Sequence, residues 1–248
     1  VWTESGAYSE STRVPDYNLL RENGVVYISE RNFDLSYEEL LNGFVDDAAS
    51  VRDAELIIFD IRSNGGGANH FCREWVENFC GQSPQLTEVW SVRVSKLYNA
   101  AMARDGLQTE SGTSGFYYHT DAITGRQLPN DIPIIVLVDD TCGSSGESML
   151  NFLKAMDNVL VVGSNSAGFQ LCGNVRGYSL PNSGVYFDFG ASLQFAFTTD
   201  NVDFVGYEPD VWCDPAHALD AALNLILRYG LADLDTWQAF RSAVYAVT

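Results

Sequence analysis

The sequence predicts an α/β fold, and three observations carry that prediction. Short apolar runs rich in β-branched residues alternate with segments of helical periodicity. Two of those runs, "ELIIFDIR" and "IPIIVLVDD", are apolar enough to be buried strands. Each opens directly into a turn of small residues, "SNGGG" after the first and "TCGSSGE" after the second. In α/β sheets, sites form beyond the carboxyl ends of strands. Both turns are therefore expected in one site.

The elements follow in order. Residues 1–22 are polar and weakly periodic and read as an entry arm or linker, with one domain expected over 23–248. "GVVYISE" (24–30) is a strand by its β-branched run. In "SYEELLNGFVDDA", Ser36 and Glu39 have capping-box spacing, and Leu40, Leu41 and Phe44 recur at helical spacing. The strand over 55–62 ends in a turn that glycine tolerates best. "NHFCREWVENFCG" sets Phe71, Trp75 and Phe79 on one helix face, with Gly81 as the stop. "EVWSVRVS" reads as a strand, and "SGTSGFYYHTDAITG" as an excursion or hairpin. A strand over 132–140, a helix over about 145–156 and the strand "VLVVGS" follow. "VYFDFG" and "SLQFAFTT" alternate like two antiparallel strands. "AHALDAALNLILRYG" is an amphipathic helix stopped by Gly230, and a last helix is expected over 234–246.

Composition narrows the function classes. The chain has 248 residues, 46% hydrophobic and 19% charged, which is the balance of a folded globular protein. No apolar run approaches the roughly 20 residues that span a bilayer, so no membrane span is expected. Fourteen basic against 33 acidic residues leave a net charge of -19, which argues against a nucleic-acid partner. Lys96 and Lys154 are the only lysines, so a lysine base has two candidates. Cys72, Cys80, Cys142, Cys172 and Cys213 are odd in number and lack C-x-x-C spacing, which speaks against a disulfide framework or a zinc knuckle. Free thiols and a single bridge both stay open.

The two turns can carry acyl transfer. That chemistry needs a nucleophile, donors for the developing oxyanion and a base. Ser144, after Gly143, can sit at the first turn of a helix, where free backbone N–H groups and the helix dipole favour negative charge. The Ser145 N–H would then face the oxyanion, and the glycines of "NGGG" could bring a second N–H close. A small-residue turn with a serine is equally the signature of a helix cap. From spacing alone both readings stand.

"FDIRSNGGG" resembles the D-L-R-N-N-P-G-G element of the C-terminal processing, or tail-specific, peptidases, and more closely its D-x-R-x-N-G-G-G form in the tricorn protease core and its relatives. "VLVDDTCGSSGE" is similar to their nucleophile segment, "VVGSNSAG" to their V-V-G-E-x-T-x-G strand and turn, and "VGYEPDVWCDPAHALDAALNLI" to their closing segment. The four occur in the family's order over roughly residues 24–228. The resemblance implies a crotonase/ClpP-like β-β-α spiral core with added antiparallel strands. It makes Ser144, three before Glu147, the nucleophile. The oxyanion donors would be the backbone N–H groups of Ser145 and Gly66, with Asp60, Arg62 and Asn64 shaping that loop.

The base departs from the pattern. The lysine of the bacterial enzymes, 25 residues after the serine, falls on Phe169, and Lys154 lies on the following helix. The tricorn-like branch uses an upstream histidine with an acidic residue before its G-x-x-P-D segment. The acidic position matches Asp203, but the histidine's D-G-H-T-like turn does not occur in these residues. His70 follows the glycine loop where the family has no base; His119 and His217 fall in the aromatic excursion and at a helix start. The resemblance thus implies a base histidine in a segment before Val1, Asp203 oriented toward it, and Phe169 walling the lysine's place.

The implied function is hydrolysis of a peptide or protein substrate through a Ser144 acyl-enzyme, without metal or cofactor, in an extracytoplasmic setting. The alternative is a catalytically inactive peptide-binding relative. Acyl-thioester hydration or isomerisation, which shares the spiral fold, fits the S-x-x-E pattern less well. The sequence sets neither substrate preference nor oligomeric state.

Overall fold

A computed structural model of the chain describes residues 17–83, 88–104, 106, 115–120, 128–196 and 202–248. Ten strands and six helices occur among them: β1 (Tyr17–Glu22), β2 (Val25–Glu30), α1 (Glu38–Asp47), β3 (Leu56–Asp60), α2 (His70–Cys80), β4 (Glu88–Val94), α3 (Lys96–Arg104), β5 (Gly115–Thr120), β6 (Ile134–Val138), α4 (Ser145–Lys154), β7 (Val159–Gly163), β8 (Cys172–Ser179), β9 (Tyr186–Ala196), β10 (Val211–Trp212), α5 (Ala218–Tyr229) and α6 (Leu234–Val244). The fold is mixed α/β with a sheet that is mainly parallel.

That sheet runs β1-β2-β3-β6-β7-β10; only β1 is antiparallel to its neighbour. Its inner strands are buried on both faces. Val26, Ile28, Ile57, Phe59, Val136 and Val161 join a core with α1, α2 and α4. Val25, Tyr27, Leu56, Ile58, Ile135, Leu137 and Val162 join a second core with α5 and α6. A strand covered on both faces has no reason to alternate, which is why "LIIFD" and "IIVLV" read as unbroken apolar runs. On α2, Trp75 stacks on Phe79 at 5.1 Å and meets the Phe59 ring edge-on at 4.9 Å. Gly81 ends α2 and Gly230 ends α5 in the left-handed conformation, as their positions predict.

A second sheet, β5-β4-β9-β8, is antiparallel. Here the sequence misled in particulars. Residues 186–196, which take in most of "VYFDFG" and the start of "SLQFAFTT", form one strand, β9, which passes through Gly190 without a turn; 197–199 lie outside the described residues. β8 and α3 have no counterpart in the expectations. Of the expected excursion, 115–120 form β5, and the flanking 107–114 and 121–127 lie outside the described residues.

Two other expectations change. Residues 17–22, read as the end of an arm, form the edge strand β1; residues 1–16 lie outside the described residues. The Ser36–Glu39 capping box does not form. Asp34 instead caps a short 3-10 turn at 35–37, accepting from the Ser36 N–H at 2.8 Å, and α1 starts only at Glu38.

Candidate active site

Parallel strands β3, β6 and β7 all end on one side of the sheet, and their exits lie side by side. The residues that leave them are strapped together by hydrogen bonds. Leaving β3, the Ser63 N–H donates to both oxygens of Asp139, at 2.9 and 3.0 Å, and Asp139 stands just past β6. The Gly143 N–H donates to the Asn64 carbonyl at 2.9 Å, while Asn64 Nδ2 donates to the Glu30 carbonyl at the end of β2 at 2.9 Å. The glycine loop is held from its other side by Phe33, whose N–H donates to the Gly66 carbonyl at 2.8 Å. Two loops far apart in sequence are fixed relative to each other with few degrees of freedom left.

Ser144 sits where they meet. It is the residue before α4 and is half-buried. Its φ of 53° and ψ of -118° lie in a region that L-residues rarely visit. Such strain persists only where the surroundings over-determine it, and here they do. The Ser144 N–H donates to Glu147 Oε2 at 3.1 Å, and its carbonyl accepts from Gln170 Nε2 at 2.8 Å. The glycine loop touches it closely: a Cβ added to Gly66, whose φ is 103°, would lie 2.7 Å from Ser144 Cβ and 2.9 Å from the Ser145 nitrogen. Only glycine fits that contact. The loop and the serine are thus adjacent, as two small-residue turns at neighbouring strand ends predict.

The Gly66 N–H, however, donates to Asn64 Oδ1 at 3.0 Å. To serve an oxyanion it would have to share that bond. Ser145 sits on the first turn of α4, where helix geometry leaves the N–H without an intrahelical acceptor. Its hydroxyl points the other way and donates to the Gly67 carbonyl at 2.7 Å, a second tie to the glycine loop.

Glu147 organises the rest. It is fully buried, and its two oxygens accept four hydrogen bonds, the acceptor capacity of a carboxylate. Oε1 takes the Ser166 hydroxyl at 2.6 Å and the Gly168 N–H at 2.7 Å; Oε2 takes the Ser144 N–H and the Phe169 N–H at 2.8 Å. One side chain thereby fixes both the serine and the loop between β7 and β8. Asp203 holds the same loop from outside, accepting at Oδ1 from the Gln170 and Leu171 N–H groups at 3.0 and 2.6 Å. Asp203 therefore has work in the loop itself, beyond the orienting role the resemblance implies.

Behind the glycine loop, Asp60 is fully buried between Arg31, Arg62 and the Tyr27 hydroxyl. Burial alone would push its carboxyl up, but the bonds and charges of Arg62 and Arg31 outweigh it and hold the carboxyl below its ordinary value. Arg62 also reaches across to the Pro215 carbonyl at 2.8 Å.

Among the described residues, the Ser144 backbone bonds to Glu147, Gln170 and Ser148, none of them a histidine or lysine. Lys154 closes the ten-residue helix that Ser144 opens, about 15 Å away along the axis. His217 is exposed and lies 3.7 Å from Asp214. His119 pairs with Trp90 in the second sheet, and His70 opens α2 against the Phe71 ring. Phe169, at the position that matches the lysine of the bacterial enzymes, lies beside the serine turn: a Cβ on Gly143 would be 2.8 Å from Phe169 Cδ2. Among the described residues no cluster of His, Cys, Asp and Glu could hold a metal ion.

The family model that matches this chain, over residues 24–211, is that of peptidase family S41. The chain belongs to peptidase family S41. No curated protein matches it. Solved structures agree at the level of the fold. A protein from Parabacteroides merdae ATCC 43184, described as a candidate peptidase, is 20% identical with a TM-score of 0.52 over 85% of this chain and 64% of its own. Mature CPAF complexed with lactacystin is 14% identical, with a TM-score of 0.54, over 87% of this chain and 53% of its own. A lipoprotein from Streptococcus agalactiae is 14% identical, with a TM-score of 0.51, over 86% and 69%. This S41 chain thus spans from about half to two thirds of the first two.

Sequence reasoning missed Gln170, Ser166 and Gly168 as parts of this S41 site. Their signal was indirect. An acid in the first turn of a buried helix must find donors, and "SAGFQ" supplies them.

Proposed function

We propose that this chain is the catalytic domain of a serine peptidase, with Ser144 as nucleophile. The observation that carries the reading is the half-buried Ser144 in left-handed backbone at the start of α4, pressed against the Gly66 loop. A strained strand-to-helix turn presents a hydroxyl to substrate, and the first-turn N–H of Ser145 faces the same space. In the proposed step Ser144 Oγ bonds to the scissile carbonyl carbon and gives its proton to a base. The tetrahedral oxyanion forms beside the Ser145 N–H, with Gly66 sharing its N–H between the oxyanion and Asn64. Collapse breaks the C–N bond, the departing amine takes the proton, and water then releases the acyl group from Ser144.

The base of this reading is a histidine upstream of this chain, oriented by the Asp203 carboxylate. The core is read as a crotonase/ClpP-like spiral, the substrate as a peptide or protein, and the setting as extracytoplasmic. Among the described residues no helix is long and apolar enough to cross a membrane. The alternative is a peptide-binding relative without turnover; the apolar Phe169 in the lysine's place and the occupied Gly66 N–H favour it.

Fluorophosphonate labelling separates the two. Labelling of Ser144 in a chain extended to the family's full length, lost in Ser144→Ala and lowered in Asp203→Asn, is the expected result. A folded, extended protein that stays unlabelled would leave the binding relative.

A further inference from the structure

Beside Ser144 the surface is apolar where solvent should favour polar residues. Phe169 is 58% exposed, Phe204 91% and Val205 59%. Large apolar side chains left this open, and next to one another, mark contact sites more often than chance. Two features separate this group from scattered surface hydrophobics.

First, it is braced. The Phe204 N–H donates to the Gly168 carbonyl at 3.0 Å, one residue from Phe169. Asn165 Nδ2 donates to the Val205 carbonyl at 2.7 Å, and Asp203 Oδ1 takes the Gln170 and Leu171 N–H groups. Gly168 packs so tightly on this turn that a Cβ there would lie 2.6 Å from the Val202 carbonyl oxygen. Second, Phe204 stands in the left-handed region, with φ 66°. That conformation is unfavourable for a bulky residue, and an exposed phenyl gives nothing back to the fold. Asparagine or glycine would suit the turn better.

The group is continuous with the candidate active site. Phe169 packs on Gly143, the residue before Ser144, and its N–H is held by the same Glu147 that holds Ser144. We propose that Phe169 and Phe204 form an aromatic clamp that takes a bulky apolar side chain of a peptide next to the bond presented to Ser144. The proposal rests on the peptidase reading for its occupant and goes beyond it in naming the substrate class: peptides with Phe, Leu or Met at that position. The place that a lysine fills in the bacterial pattern becomes part of a specificity surface.

The test separates the clamp from the chemistry. Fluorescein-labelled decapeptides differing only at one central residue, Phe, Leu, Ala, Asp or Lys, are titrated against the whole chain carrying Ser144→Ala, and anisotropy is read. The expected result is about tenfold tighter binding of the Phe and Leu peptides than of the Ala peptide. That preference should fall to about onefold in Phe169→Ser and in Phe204→Asn, the latter keeping a residue that tolerates φ 66°. Both rings are exposed, so the fold should persist, checked by circular dichroism. Equal binding of all five peptides, or a preference that survives both substitutions, overturns the clamp. Preference without fluorophosphonate labelling of the unsubstituted, extended protein keeps the clamp and refutes the peptidase reading.

Discussion

Ser144 and Ser145 are neighbours with opposite tasks. Ser144 stands at the turn in a capping box with Glu147, whereas Ser145 turns its hydroxyl back to the Gly67 carbonyl and keeps a first-turn N–H without an intrahelical acceptor. Alanine at 145 keeps the N–H but loses one bond to the glycine loop. A neutral hydrogen bond is worth about 1 kcal/mol, so fluorophosphonate labelling of Ser145→Ala should fall only about three- to tenfold, while Ser144→Ala should not label at all. Equal loss in both would sink the assignment of the nucleophile. The cysteines permit a second prediction at this scale. All five are free. Burial pushes the Cys72 and Cys142 thiols well up, reinforced by Glu30 near the first and Glu147 near the second, and raises Cys80 to about 11. The thiolate is the reactive form. Iodoacetamide at pH 8, followed by mass spectrometry of tryptic peptides, should therefore modify exposed Cys172 first and leave Cys72 and Cys142 intact until urea unfolds the chain.

At the scale of elements, the site is a junction of loops locked by a few buried groups. Glu147 joins the start of α4 to the β7–β8 connection through four bonds. Glutamine there would point an amide N–H₂ at N–H donors and leave buried groups without acceptors, at about 1–3 kcal/mol each. Glu147→Gln should lower the urea midpoint and slow Ser144 labelling together; a drop in labelling with an unchanged midpoint would mean that Glu147 does not hold the junction. Gly66→Ala would drive a Cβ to 2.7 Å from Ser144 Cβ and should abolish labelling with the fold retained. Much of this was legible in the residues. The parallel strands showed as unbroken apolar runs because helices cover both faces, and "NGGG" and "GSSGE" marked strand ends that had to meet. The failures have equally physical causes. β9 read as two strands because Gly190 looks like a break, yet pairing with β8 runs through it, with Val175 opposite Gly190. Asp34 outcompeted Ser36 as a cap because its carboxylate reaches the Ser36 N–H and hydroxyl at once, both at 2.8 Å. That Asn64 would claim the Gly66 N–H could not be read from "NGGG", since it depends on a side-chain rotation set by the Glu30 carbonyl.

The whole molecule sets one charge effect against another. A net charge of -19 makes the compact state repel itself at neutral pH. Salt screens that repulsion, with a Debye length of about 8 Å at 0.15 M, so raising NaCl at pH 7 should raise the urea midpoint. Mild acid should act in the same direction as surface carboxylates take up protons. Asp60 opposes it. Its carboxyl lies below the ordinary 3.8 in the folded chain, because the bonds and charges of Arg62 and Arg31 outweigh the cost of burial. The native state therefore holds this proton less readily than the unfolded one. The stability it contributes is complete above pH 3.8 and is lost as the pH falls through the folded value. Stability should rise slightly between pH 7 and 5 and drop steeply below about 4. Asp60→Asn should cost about 3 kcal/mol at pH 7, because Arg31 and Arg62 then lack their buried counter-charge. The variant should also show a shallower loss below pH 4, since the titrating group is gone. Urea midpoints at pH 7, 5, 4 and 3 test both parts; a variant whose acid limb runs parallel to that of the unsubstituted chain would show that Asp60 is not what acid attacks, and the surface carboxylates would have to carry the transition alone.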